Sequence, residues 1–231
     1  DKVVLVPGDV TDISSVMNAV DVSRPDELYH LASQSHVGES FIEPLATIEV
    51  TGMGTANVLE AVRKMDKSIK VYIAGTSEVF GGCNGGLCNE ESPFDPKSPY
   101  AVAKVLSVHL ARVYRNAYNM FVAVGLLFNH ESELRGLDFV TRKISNAVAR
   151  IVLGLDDKLK LGNMDARRDW GYAPEYVYAM WLMLQQDKPD DYVIATGESH
   201  SVREFVEEAF GYVGLDWEKY VEVDKSLYRP L

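Results

Sequence analysis

Cysteine is scarce in this chain, with two among 231 residues. Both fall in one Gly-rich stretch, Gly81-Gly-Cys-Asn-Gly-Gly-Leu-Cys88. No Cys or His pair at finger spacing stands elsewhere to complete a coordination set, so no metal is expected. The two cysteines read as cytosolic thiols, with a small redox or disulfide role as the lesser alternative. Basic residues are outnumbered, 23 against 34 acidic, for a net charge of −11. That balance argues against a bulk electrostatic grip on nucleic acid or on an anionic membrane. It leaves phosphate binding open, because a few local Arg, Lys and backbone N–H groups suffice. No apolar stretch reaches the ~18 residues a membrane span requires. No basic, apolar, small-residue leader opens the chain, and a cytoplasmic location is expected. No G-x-G-x-x-G follows any strand-like run. Either the chain is not a dinucleotide fold, or its first β-α unit has been cut away.

The composition, 47% hydrophobic and 25% charged, is that of an ordinary globular protein. The length suits one large α/β domain, or one domain plus part of another. Short β-rich runs alternate with amphipathic helical stretches, the pattern of a doubly wound parallel sheet. Strands are predicted at residues 2–6, 27–31, 71–74, 121–127, 158–161 and 192–195. Helices are predicted at 13–20, 45–63, 99–118, 139–153, 174–186 and 202–212. Ser98-Pro99 gives the helix at 99–118 its start, with Ser suited to the cap and Pro to the first helical position. Residues 81–97, rich in Gly and Pro, should be irregular. In such a sheet the chemistry belongs at the carboxyl ends of the strands.

Tyr100 and Lys104 stand four apart, hence on one helical face, where the ammonium favours a phenolate for general-base work. The spacing alone is a weak signal, and a surface Tyr/Lys pair is the plainer reading of it. Thr76-Ser77-Glu78 ends a buried strand upstream of that helix and offers a hydroxyl and a carboxylate to the same region. Leu31-Ala-Ser-Gln-Ser35 also ends a strand, with small residues that allow a ligand close to the backbone. His36 beside it reads equally well as a ligand contact or a hydrogen-bonded structural histidine.

Taken together these segments resemble the extended short-chain dehydrogenase/reductase family and, within it, the GDP-mannose 4,6-dehydratases. The resemblance is carried by Gly8-Asp-Val-Thr-Asp12, Leu31-Ala-Ser-Gln-Ser-His-Val-Gly38, Gly75-Thr-Ser-Glu78 and Ser98-Pro-Tyr-Ala-Val-Ala-Lys104. It continues through Leu127-Phe-Asn-His-Glu-Ser132, Phe139-Val-Thr-Arg-Lys-Ile144, Leu161-Gly-Asn163, Arg167-Arg-Asp-Trp-Gly171 and Val193-Ile-Ala-Thr-Gly197. Tyr-x-x-x-Lys is generic to the superfamily; Asn-His-Glu-Ser and Arg-Asp-Trp-Gly in this order are specific to the dehydratases.

The resemblance implies a Rossmann-like dinucleotide-binding domain at residues 1–131 that lacks its first β-α unit. It implies a substrate-binding region at 132–231, interleaved with late Rossmann elements, in a chain trimmed at both ends. Thr76, Glu78, Tyr100 and Lys104 match the catalytic set. Asp9 and Val10 match adenine contacts, while Leu31, Ala32, Ser33, Gln34 and Ser35 match the cofactor strand end. Tyr100 and Lys104 also touch the cofactor in such relatives, and His130 and Arg135 match later cofactor contacts. Asn129, Lys143, Arg168 and Arg229 match positions that hold the sugar nucleotide. The implied cofactor is NADP, the implied substrate GDP-mannose, and the implied assembly a homo-dimer or homo-tetramer. Three departures stand out: Ala46 where relatives carry a cofactor-contacting Tyr, Glu133-Leu134 in place of Pro-Arg, and the Cys-bearing loop. Two rivals stay open at this point: a nucleotide-sugar epimerase or reductase, which needs no carboxylate at position 78, and a non-catalytic nucleotide-sugar-binding module.

Overall fold

Short polar side chains start several of the helices. In the computed structural model, which describes residues 3–83 and 86–228, helix α1 (Ile13–Ser23) begins at Asp12, whose carboxylate accepts the Ser14 N–H. It ends where Arg24 turns left-handed, φ 42°. Strand β1 (Glu27–His30) follows, then two short helices, α2 (Val37–Ile42) and α3 (Pro44–Thr47). A π-helical segment (Ile48–Met53) leads into α4 (Gly54–Met65). Strand β2 (Lys70–Ala74) ends in a 3₁₀ turn (Ser77–Phe80). Helix α5 (Pro99–Tyr118) starts as the sequence predicts, with Ser98 Oγ accepting the Ala101 N–H and Pro99 in the first turn.

The remainder runs through β3 (Val122–Leu127), β4 (Asn129–Glu131), α6 (Val140–Val152) and β5 (Leu159–Leu161). It continues with β6 (Arg167–Arg168), β7 (Trp170–Tyr172), α7 (Ala173–Leu184), β8 (Asp191–Ile194) and β9 (His200–Ser201). Helix α8 (Val202–Tyr212) and strand β10 (Val221–Val223) complete it.

The chain divides into two compact units, residues 1–127 with 177–194, and residues 128–176 with 195–231. The first is built on a parallel sheet in the order β1-β2-β3-β8, with Leu28 opposite Val71, Ile73 opposite Val124 and Leu126 opposite Val193. Every residue of β3 is buried, as expected of a parallel strand covered on both faces. Arg112 and Arg115 of α5 clamp the buried Asp191 of β8, each at 2.6 Å. The second unit packs Ile144, Val148 and Ile151 of α6 against Leu159 and Leu161 of β5 and Val206 and Phe210 of α8. Helix α8 opens on a capping box, Ser201 with Glu204, which satisfies two N–H groups reciprocally.

Two predicted elements need correction. Residues 3–6 of the expected first strand form no ladder, and Val3, Val4 and Leu5 are exposed; Lys2 lies outside the described residues. The run is apolar and β-branched, but among the described residues no neighbouring strand pairs with it, and a strand without a ladder partner leaves its backbone groups to water. The long helix predicted at 45–63 is instead three consecutive helical pieces, the middle one π-helical.

Candidate active site

The carboxyl end of β2 assembles the chemistry. Thr76 is extended and caps the 3₁₀ turn, its hydroxyl accepting the Glu78 N–H at 3.3 Å. That cap fixes the backbone of the half-buried Glu78 two residues beyond a buried strand. Helix α5 packs on β2 and on the same 3₁₀ turn. From its first turns Tyr100 and Lys104 are both buried, 8% and 6% exposed. Lys104 Nζ donates to the carbonyl of Ala74, the last residue of β2, at 2.8 Å, and lies 5.8 Å from the centre of the Tyr100 ring. One lysine thus links the helix that carries Tyr100 to the strand end that carries Thr76 and Glu78. Burial pushes the Lys104 ammonium down to about 8 from the ordinary lysine value.

The loop between these halves is anchored at its root. Asp95 N–H donates to Val79 O at 2.8 Å, and Phe94 packs edge-on against Phe80, 5.7 Å between centroids, beneath the Arg112 guanidinium. Gly81 sits at φ +65° so close to Asp95 O that a Cβ would overlap it, which is why glycine is required there. Further out, Glu90 accepts the Val193 N–H of β8 at 2.7 Å. The expectation of two free thiols is corrected: Cys83 and Cys88 are joined in a disulfide, their Cα atoms 5.5 Å apart, within bridging range. A separation of five residues in a Gly-rich loop lets the chain double back far enough for the bond.

The segment after β1 places Leu31, Ala32 and Ser35 at the surface and Ser33 and Gln34 half-buried. Gln34 Nε2 donates to His36 O, whereas Gln34 Oε1 is buried with no hydrogen-bond partner. Asp9 accepts the Thr11 N–H and hydroxyl, both at 2.8 Å, and those bonds hold its carboxyl below the usual range. Val10 O accepts from Asn57 of α4, which ties that turn to the first unit.

The other expected residues belong to the second unit. Asn129 and His130 lie on β4, which pairs with β7; the His130 ring stacks on Tyr176 at 4.7 Å and its Nδ1 lies 2.9 Å from Phe128 O. Arg135 pairs with Glu131 at 3.3 Å and covers the Phe139 ring. Lys143 rides on α6. Arg168 sits on β6 opposite His200, beside the buried Asp169, whose carboxylate accepts the N–H groups of Thr196 and Gly197. Arg229 lies outside the described residues. Among the described residues no group of acidic, His or Cys side chains is arranged to hold a metal, and no helix is long and apolar enough to cross a membrane.

A cavity of about 660 Å³ lined by Arg24, Asp26 and Lys70 lies at the amino ends of β1 and β2. Parallel sheets bind ligands at the opposite edge, so it is set apart from the candidate site. Sequence reasoning passed over His30, Thr51, Thr55 and Ser107, all buried polar groups in hydrogen-bonding contact beneath the candidate site. The available signal was a pair of threonines four apart on an otherwise apolar helical face.

The family model described as GDP-mannose 4,6 dehydratase matches residues 1–230. A curated relative, GDP-mannose 4,6 dehydratase 1 of Arabidopsis thaliana, is 52% identical over 227 residues, covering 96% of this chain and 63% of its own length. The chain therefore spans somewhat under two thirds of that relative. Among solved structures, RMD from Pseudomonas aeruginosa complexed with NADPH superposes with a TM-score of 0.87 at 24% identity, covering 99% of this chain and 78% of its own. The UDP-glucose 4-epimerase of Thermus thermophilus, in complex with NAD, gives 0.83 at 26%, covering 96% and 71%.

Proposed function

The chain belongs to the GDP-mannose 4,6 dehydratase family, and from that premise we propose that it forms the catalytic part of a lyase that converts GDP-mannose to its 4-keto-6-deoxy product with loss of water. The observation that carries this reading is the Lys104 bridge to Ala74, which joins Tyr100 to Thr76 and Glu78 at one strand end. A hydroxyl, a carboxylate, a phenol and a cation are the groups such a reaction uses. Tyr100, as the phenolate that the Lys104 ammonium favours, takes the proton of the sugar 4-hydroxyl and is neutralised by it. The ketone so formed acidifies carbon 5, whose proton Glu78 accepts. Glu78 then returns a proton to the departing 6-hydroxyl, assisted by Thr76, and water leaves. The carboxylate at position 78 is what separates this chemistry from an epimerase or a reductase on the same frame.

A nicotinamide dinucleotide, NADP in our reading, would when bound take the hydride from carbon 4 and give it back at carbon 6 once water has left, carbon 5 regaining a proton, so that the net reaction is a dehydration. The residues after β1 fit such a group: small, exposed side chains with one buried, unpaired acceptor at Gln34 Oε1. Asp9 and Val10 would hold the adenine, Leu31 to Ser35 the neighbouring part, Tyr100 and Lys104 the ribose end, and His130 and Arg135 the later contacts. Asn129, Lys143, Arg168 and Arg229 would hold the sugar nucleotide, most of them in the substrate-binding region read at 132–231. A cytoplasmic homo-dimer or homo-tetramer completes the proposal. The test is to incubate the full-length protein with GDP-mannose and NADP and follow product mass. Loss of one water is expected; a product of unchanged mass but altered sugar configuration would assign an epimerase instead.

A further inference from the structure

Thr51 stands where the π-helical segment meets three other elements, and its side chain and its carbonyl make separate sets of hydrogen bonds. The Gln34 N–H donates to Thr51 Oγ1 at 3.3 Å. Thr51 Oγ1 and Ser33 Oγ are 3.1 Å apart, and Ser33 Oγ donates to Gln34 O at 3.4 Å. Either hydroxyl of that pair can donate to the other, and the contacts close a ring around residues 33–34. The carbonyl of the same Thr51 accepts the Thr55 hydroxyl at 2.7 Å and the Ser107 hydroxyl at 3.1 Å. With the Thr55 proton committed to Thr51 O, the 3.1 Å contact between His30 Nε2 and Thr55 Oγ1 makes the imidazole the donor.

Ser107 lies three residues beyond Lys104 on α5, and its single hydroxyl proton is shared between Thr51 O and Ala103 O, the latter at 3.0 Å. The approach is close: a Cβ at Gly52 would stand 2.8 Å from Leu106 Cδ2. A π turn widens the helix locally, a geometry common at functional sites. Here it lets one residue serve the strand-end loop with its side chain and α5 with its carbonyl.

We propose that Thr51 is a positioning residue that fixes the Ser33–Gln34 backbone in register with Lys104, so that the dinucleotide seat and the catalytic helix are held as one piece. This rests on the reading of residues 31–35 as cofactor-binding. A side chain that merely filled space would be replaceable by valine, which keeps its shape and removes only the hydroxyl. Thr51→Val leaves the Gln34 N–H without its acceptor and Ser33 without its hydroxyl partner, freeing the loop.

The test uses the full-length protein, with NADPH binding measured by fluorescence titration and KM measured for GDP-mannose. Thr51→Val should raise the NADPH dissociation constant about three- to tenfold, the range for one lost hydrogen bond, and leave KM for the sugar nucleotide unchanged. Thr51→Ser should restore wild-type affinity, because the hydroxyl returns. A general loss of packing would lower the melting temperature without this split and without rescue by serine. Wild-type NADPH affinity in Thr51→Val, or failure of serine to rescue, overturns the inference alone. If the wild type binds no nicotinamide dinucleotide, the reading of the site falls first and this one with it.

Discussion

The two units hold their polar side chains by different physics. In the first, Lys104, Thr76, Thr51, Thr55, Ser107 and His30 are buried, and each meets a protein partner at hydrogen-bonding distance. In the second, Arg150, Arg167 and Arg203 lie partly in solvent and pair with Asp156, Glu204 and Asp165. Exposed pairs of that kind contribute about 0–1 kcal/mol each. A buried polar group left unpaired costs about 1–3 kcal/mol, so its neighbours are dictated by its chemistry. On the proposed function, the buried groups of the first unit would hold the reaction at fixed positions, and the exposed cations of the second would present charge that can be exchanged for a ligand's.

The strongest way to break this contrast is at Glu78. Glu78→Gln keeps shape and hydrogen bonding but cannot accept the carbon-5 proton. Reduced nicotinamide should still form in a single turnover, while water loss falls ~100- to 10,000-fold, the usual contribution of a general base. Tyr100→Phe should suppress the reduced-nicotinamide absorbance itself. Near-normal dehydration by the Gln variant would remove the carboxylate from the mechanism and return the weight to an epimerase or reductase.

Burial makes a second, smaller demand, on stability. His30 is pushed down to about 4, chiefly by desolvation and further by the Lys104 charge. Between about pH 6.5 and 4 the unfolded chain binds a proton there that the folded chain refuses, so stability must fall as pH falls through that window. The loss should amount to about 2–3 kcal/mol by pH 4. Urea melts at pH 7 and pH 4 measure it. His30→Gln, which does not titrate, should lose less over the same interval by about that amount; equal losses would show that His30 is charged or solvated in the fold.

How far these features were legible in the sequence follows the same division. Runs such as Val71-Tyr-Ile and Val122-Ala-Val declare a buried parallel strand because every position is apolar, and Ser98-Pro99 declares a helix start by cap chemistry alone. Spacing put Tyr100 and Lys104 on one helical face and Thr76 and Glu78 after a buried strand, but that signal alone was weak, and their grouping as a set came from the resemblance. Strands of two or three residues, β6, β9 and β10, were not, since no periodicity fits in so short a run. Nor was the Thr51 cluster: Thr51, Thr55 and Ser107 look like weak helix formers until the π turn brings three elements onto them. The disulfide was only the lesser alternative for a related reason, because only the fold says whether two cysteines five apart face each other.

The last test sharpens the contrast from the side of the second unit. Arg168 is positioned by backbone: β6 pairs with β9, and the buried Asp169 carboxylate pins Thr196 and Gly197 beside it. Removing the Arg168 side chain should therefore leave the fold standing, with a change in stability within about 0.5 kcal/mol. A guanidinium bound to a phosphate contributes about 1.5–3 kcal/mol. Part of that is recovered as water and counterions replace it, so KM for GDP-mannose should rise about tenfold in Arg168→Ala, with kcat nearly unchanged. Lys143→Ala should act in the same direction and more weakly, since an ammonium offers a point charge instead of a planar fork. Arg167→Ala is the control: its partners Ser199 and Glu204 lie within the same unit, and its loss should move neither parameter. If Arg168→Ala lowers kcat at constant KM, the second unit takes part in the chemical step, and the division between fixed and exchangeable charge fails at its most specific point.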